Sequence, residues 1–123
     1  MAKPAVDTLT PIAALAWEAL PGFPGLEVLT LSSTFDEARK TGRRTRLVRF
    51  GPGVETKQAL VHDYFEEAML ISGDIRGVRE AEGFGAFAEQ AYVFRPPGTP
   101  HGPIRSEGGC VLLEVQYYED AKL

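Results

Sequence analysis

Cysteine is nearly missing from these 123 residues: Cys110 stands alone, so no intrachain disulfide can form and no multi-cysteine zinc site exists. Positive charge is not in excess. Thirteen Lys and Arg against seventeen Asp and Glu leave a net charge of −4, which gives nucleic-acid binding no global electrostatic support. No apolar run approaches the roughly 18 residues of a membrane span, and no basic stretch followed by an apolar one opens the chain. A reducing compartment fits the single thiol, and the expectation is a soluble, cytoplasmic protein with no nucleic-acid or membrane partner. Histidine is scarce as well. His62 and His101 are the only two.

What is present fits one domain, residues 1–123, with its core at about 26–118 and an N-terminal extension over 1–25. At 44% hydrophobic and 24% charged, the composition is that of an ordinary globular chain able to bury a core. Thirteen glycines and nine prolines are scattered between short apolar runs, as many short strands joined by turns require. Ile12, Leu15, Ala16 and Ala19 have helical spacing and predict a short helical turn, stopped by Pro21-Gly22-Phe23-Pro24-Gly25. Trp17 and Phe23 flank that stop and are expected to pack on the main body.

Strands are expected at Leu26–Ser32, Arg43–Phe50, Glu67–Ser72, Ile75–Val78, Tyr92–Arg95, Ile104–Ser106 and Cys110–Tyr118, with an extended segment over Val54–His62. The basic residues of Arg43–Phe50 read as solvent-facing positions, of the kind that blunt an exposed edge. Glu67–Ser72, apolar on both faces, reads as buried, with Met69 and Phe94 in the core. Glu107-Gly108-Gly109 reads as a hairpin turn. On the last strand Val111, Leu113, Val115 and Tyr117 share one face. Cys110, Leu112, Glu114, Gln116 and Tyr118 share the other. Eight or more short strands without a long helix indicate an all-β sandwich or barrel.

Both histidines sit where a strand meets a turn. In extended backbone His62, Tyr64 and Glu66 share a face, and Glu66 has the inward parity of Ala68 and Leu70, while Glu67 points away. A carboxylate aimed into an apolar interior needs a cation or a proton. The stiff Pro96-Pro97-Gly98-Thr99-Pro100 turn fixes the aim of His101. Two imidazoles and one carboxylate make a three-ligand set with open positions, best suited to Fe(II), with Mn, Co, Ni or Zn as alternatives. Tyr64 is a candidate proton donor or substrate orienter. Arg95 could hold a substrate carboxylate, or pair with Glu67 or Glu114. Asp63 could orient a ligand histidine or cap the turn. Cys110, with no spare histidine to activate it, is expected to be a packing residue.

These residues resemble the paired motifs of the cupin superfamily. Gly53, His62, Glu66 and Gly73 match the first motif, and Pro96-Pro97-Gly98-Thr99-Pro100-His101 matches the second. The resemblance covers about residues 43–118 and, more loosely, the segment from Pro21. It is nearest to the ChrR-like and diketone-cleaving dioxygenase cupins. It implies a double-stranded β-helix, or jelly-roll, barrel that often pairs as a homodimer through strand edges and the N-terminal segment. It also implies His62, Glu66 and His101 as metal ligands. The first histidine of the usual His-x-His pair falls at Leu60, so three of four ligands carry over, and Gln58, of the same strand parity, is the polar residue that could substitute.

Two functions follow as expectations. One is a metal-dependent enzyme, of Fe(II) oxygenase type, acting on a small organic acid, ketone or phenol, or a Zn, Mn or Ni isomerase, cyclase or hydrolase on the same scaffold. The other is a non-catalytic module that binds a metabolite or metal, as Leu60 in a ligand position would suit. A purely structural oligomer is a third, poorer reading.

Overall fold

In the computed structural model, residues 5–78, 86–87 and 90–119 are described. Among these residues nine strands follow in order: β1 Glu18–Ala19, β2 Leu26–Ser33, β3 Arg43–Phe50, β4 Phe65–Gly73, β5 Ile75–Gly77, β6 Ala86–Phe87, β7 Tyr92–Arg95, β8 Ile104–Arg105 and β9 Cys110–Tyr117. They form a six-stranded antiparallel sheet, ordered β1-β2-β3-β9-β4-β7, and a three-stranded sheet, ordered β6-β5-β8. The architecture is the expected all-β jelly roll. Among the described residues the only helical element is one 3-10 turn, Ile12–Ala14, and no helix is long and apolar enough to cross a membrane.

The inward positions of the large sheet line up across strands. Arg44, Gln116, Glu66 and Arg95 form one row; Arg46, Glu114, Ala68 and Val93 the next. Val48, Leu112 and Leu70 form a third, joined by Val28 of β2. Phe50 pairs with Cys110 on one side and Leu26 on the other. The last two rows contain most of the apolar core, with Leu70 1% and Val48 2% exposed.

The two sheets meet at sharp corners. Gly73 ends β4 with φ 84°, and a Cβ there would collide with the Gly109 carbonyl oxygen, so only glycine fits. Next to it the Asp74 carboxylate accepts the backbone N–H groups of Glu107 (2.9 Å) and Gly108 (2.8 Å), tying the β4–β5 corner to the β8–β9 corner.

Several expectations are corrected. β3 lies between β2 and β9 and is not an edge. Arg44 and Arg46 point inward, because they share parity with Val48 and Phe50, and there they meet Gln116 and Glu114. β4 buries one face only. Met69 (44%) and Phe94 (45%) are exposed on the opposite face, since the strand alternates and nothing among the described residues covers that side. Glu107-Gly108-Gly109 links strands of different sheets and closes no hairpin. The helical spacing before Pro21 yields the 3-10 turn and then β1, because Glu18 and Ala19 pair with Val28 and Glu27 instead. Trp17 does pack on the body, with the Arg49 guanidinium 4.1 Å from its ring centroid. Cys110 is a buried free thiol whose pKa burial pushes up, as a packing residue requires.

Candidate metal centre

Three elements bring the candidate ligands together. β4 begins at Phe65 and carries Glu66 inward at 3% exposure. His62 lies on the segment entering that strand. His101 lies on the segment leaving the Pro-Pro-Gly turn, where two backbone hydrogen bonds clamp it to Leu60: Leu60 N to His101 O at 2.7 Å and the reverse at 2.9 Å. The turn itself is held by the Gly98 N–H donating to the His62 carbonyl at 2.8 Å, so the two histidine segments are tied directly. One ligand atom from each of His62, Glu66 and His101 lies within 4.8 Å of the others. The two imidazole centroids are 4.9 Å apart.

Tyr64 stacks on His62, centroids 4.5 Å apart and planes within 11°, which restricts how the imidazole can turn. Phe35 meets Tyr64 edge-on at 5.1 Å and Tyr118 face-on at 5.0 Å, backing the stack. Burial, followed by the nearby Glu66 carboxylate, pushes the Tyr64 phenol well up, so it stays protonated and able to donate.

Electrostatics prepare the imidazoles. Burial lowers the His62 pKa against the pull of Glu66. Burial, then the Arg95 guanidinium, takes His101 down to about 4. Both rings are therefore neutral near pH 7, the form that ligates a metal.

The cation demanded by buried Glu66 is present in the chain itself. Arg95 Nη1 donates to Glu66 Oε1 at 3.0 Å, with the two side chains 11% and 3% exposed. Gln116 Nε2 donates to Glu66 Oε2 at 2.6 Å, and Gln116 is fully buried. The Gln116 carbonyl in turn accepts from Arg44 Nε at 2.8 Å and from its terminal Nη2. Arg95 thus pairs with Glu66, where the sequence suggested a substrate, Glu67 or Glu114. In the next row Arg46 Nε donates to Glu114 Oε1 at 2.8 Å, both side chains about 15% exposed or less. Desolvation there outweighs Arg46 and raises the Glu114 pKa.

Glu67 points to the outer face, where it accepts from the Tyr92 (2.6 Å) and Tyr117 (3.2 Å) hydroxyls. Asp63 faces Lys40 and the Tyr118 hydroxyl, each at 3.4 Å, rather than a histidine ring. Gln58 is exposed and does not line the central cavity, because the chain bends at 57–58 and breaks the alternation that linked it to Leu60. Leu60 does line the cavity, in the position where the fourth ligand was expected. Gln116, Arg44 and Arg46 were not singled out from the sequence, and Glu114 was named only as a possible partner of Arg95. The signal was there: β9 alternation set Glu114 and Gln116 on the same face as Leu112.

These groups occupy one end of a cavity of about 500 Å³ between the two sheets. The family model of the ChrR cupin-like domain matches residues 5–117. The chain belongs to that family. Similar solved cupin structures include an acetylacetone dioxygenase from Acinetobacter johnsonii (17% identity, 95% of this chain and 78% of that one, TM-score 0.69). The polyketide cyclase RemF from Streptomyces resistomycificus is another (20% identity, 89% and 78%, TM-score 0.67). A third is the cupin domain of an XRE family transcriptional regulator from Enterobacter cloacae (16% identity, 76% and 97%, TM-score 0.56). Enzymes and a regulator share this fold, so the fold by itself does not choose between them. A comparison with curated proteins finds no significant match.

The donor set of this cupin fits a divalent transition metal. Two neutral imidazoles and an ionisable carboxylate converge, with the opposite side open to the cavity. Arg95 holds one oxygen of Glu66, so an ion bound there would have to share that carboxylate or displace the guanidinium.

Proposed function

We propose that this cupin is a metal-dependent enzyme acting on a small organic acid, ketone or phenol, with Fe(II)-type oxygenase chemistry. The observation that carries the reading is the convergence of His62, Glu66 and His101 within 4.8 Å at the polar end of the cavity. A divalent ion held there would supply adjacent open positions for substrate and dioxygen. Around it the chain does the positioning. Gln116 fixes the angle of the Glu66 carboxylate, and Tyr64 fixes the His62 ring. The Tyr64 hydroxyl, kept protonated, offers a hydrogen bond or a proton to substrate oxygen. Arg95 lines the cavity beside Glu66, and if an ion displaces it, its guanidinium turns to a substrate carboxylate. An acetylacetone dioxygenase is among the proteins that share the fold, so the scaffold is compatible with this chemistry.

A specific observation favours a second reading, a non-catalytic binding module: Glu66 already has its counter-cation in Arg95, and Leu60 stands where a fourth ligand would. Elemental analysis of untagged protein separates the two. The enzyme reading expects close to one transition metal per chain, lost in His62→Ala, and dioxygen uptake with 1,3-diketones or phenols. A Zn, Mn or Ni enzyme would show that metal and no uptake. Absence of metal from both proteins would leave the binding module.

We also propose that the protein acts as a homodimer in the cytoplasm, without nucleic-acid or membrane partners. Exposed Met69, Ile71, Tyr92 and Phe94 adjoin β7, the last strand of the large sheet among the described residues, a surface a second copy can pair with.

A further inference from the structure

The inward rows of the large sheet change chemistry in one direction. Arg44, Gln116, Glu66 and Arg95 are all polar or charged. Arg46 and Glu114 are charged, but Ala68 and Val93 beside them are not. Val48, Leu112 and Leu70 are wholly apolar, as are Phe50 and Leu26 beyond them. Successive rows are about 7 Å apart along the strands. Members of all four rows line the same cavity of about 500 Å³. That space is far larger than the voids of a packed core and falls in the range of small-molecule sites.

The far end has its own stopper. The turn between β1 and β2 is closed by hydrogen bonds from Leu20 N to Leu26 O (3.0 Å) and from Phe23 N to Leu20 O (3.1 Å). It places Leu20 and Phe23 on the cavity wall against the apolar core. At the near end three arginines (Arg44, Arg46, Arg95) line the cavity beside three glutamates (Glu37, Glu66, Glu114) and both histidines. A divalent ion held by His62, Glu66 and His101 would add positive charge at that end.

We propose that the cavity selects amphipathic ligands: an anionic or chelating oxygen head at the histidine end, and an apolar body extending past Ala68 toward Leu70 and Phe50, its length limited by Phe23 and Leu20. The choice of head rests on the metal-site reading; the apolar body does not.

The test is calorimetric binding of straight-chain carboxylates, from butanoate to dodecanoate, to the full chain with and without one equivalent of Zn²⁺. Affinity is expected to rise about fourfold per methylene and then to level off at a defined length. Phe23→Ala should move that limit to longer chains. Ala68→Leu, which narrows the passage between the polar and apolar rows, should flatten the rise; melting by circular dichroism checks that each variant is folded. Affinities independent of chain length would overturn the proposal, as would a limit unmoved by Phe23→Ala together with a rise unchanged by Ala68→Leu. If Zn²⁺ tightens every ligand by one factor but length has no effect, the metal reading stands and this inference falls. If the length dependence holds while Zn²⁺ and His101→Ala change nothing, the metal reading falls and the apolar site stands.

Discussion

Gln116 shows how much a buried polar residue can decide. Its amide donates to Glu66 and accepts from Arg44, so it orients the carboxylate and satisfies a guanidinium at once. If Glu66 is a ligand, Gln116→Leu should lower metal affinity about 10–100-fold, as loss of a ligand's supporting hydrogen bond does. It should also cost roughly 1–3 kcal/mol of stability, because Arg44 is left with an unmet donor. Glu66→Gln should abolish binding, and Glu67→Gln should leave it unchanged, since Glu67 faces Tyr92 and Tyr117 across the sheet. A competition titration with a chromophoric chelator reads all three. Equal losses in the two glutamate variants would mean the ligand set is wrongly drawn. The inward aim of Glu66 was legible at this scale because alternation alone separates it from Glu67. The role of Arg95 was not, because its partner depends on which strand lies alongside β4.

At the scale of elements, the corner joining the sheets carries a charge cluster of its own. Hydrogen bonds from Arg105 and then Arg76 pull the Glu107 carboxyl down to about 2. Backbone N–H groups of Glu107 and Gly108 lower Asp74 in the same direction. A folded pKa below the unfolded value means that the unfolded chain binds more protons in acid. The stabilisation is therefore complete above the ordinary carboxylate range, about 4.3, and drains away as pH falls toward 2. Melting temperatures between pH 5 and 2.5 should fall less steeply in Glu107→Gln than in the parent protein. The effect should be modest, because the side chain is 51% exposed. An identical acid slope would show that the corner gains nothing from these pairs.

For the whole molecule, the outer face of β4 and β7 is the unfinished part. Met69 and Tyr92 sit directly opposite one another, 44% and 58% exposed, with Ile71 and Phe94 alongside. Light scattering at micromolar concentration should give twice the monomer mass, and Phe94→Glu should return the monomer with its fold intact. A monomeric parent protein would remove the homodimer.

The sequence alone determined the strand pattern, the inward parity of Glu66, the two motif turns that hold the histidines, and hence the cupin barrel. Each depends on residues within a few positions of one another: alternation, glycine at positive φ, proline in turns. It misjudged β3, because a strand rich in arginine reads as solvent-facing until its neighbours are known. Only the tertiary structure set β3 between β2 and β9. That placement brought Arg44 and Arg46 opposite Gln116 and Glu114, some seventy residues away, and so turned apparent surface charges into the polar end of a cavity. Pairing across such distances is decided by which strands share backbone hydrogen bonds, and no local pattern encodes it.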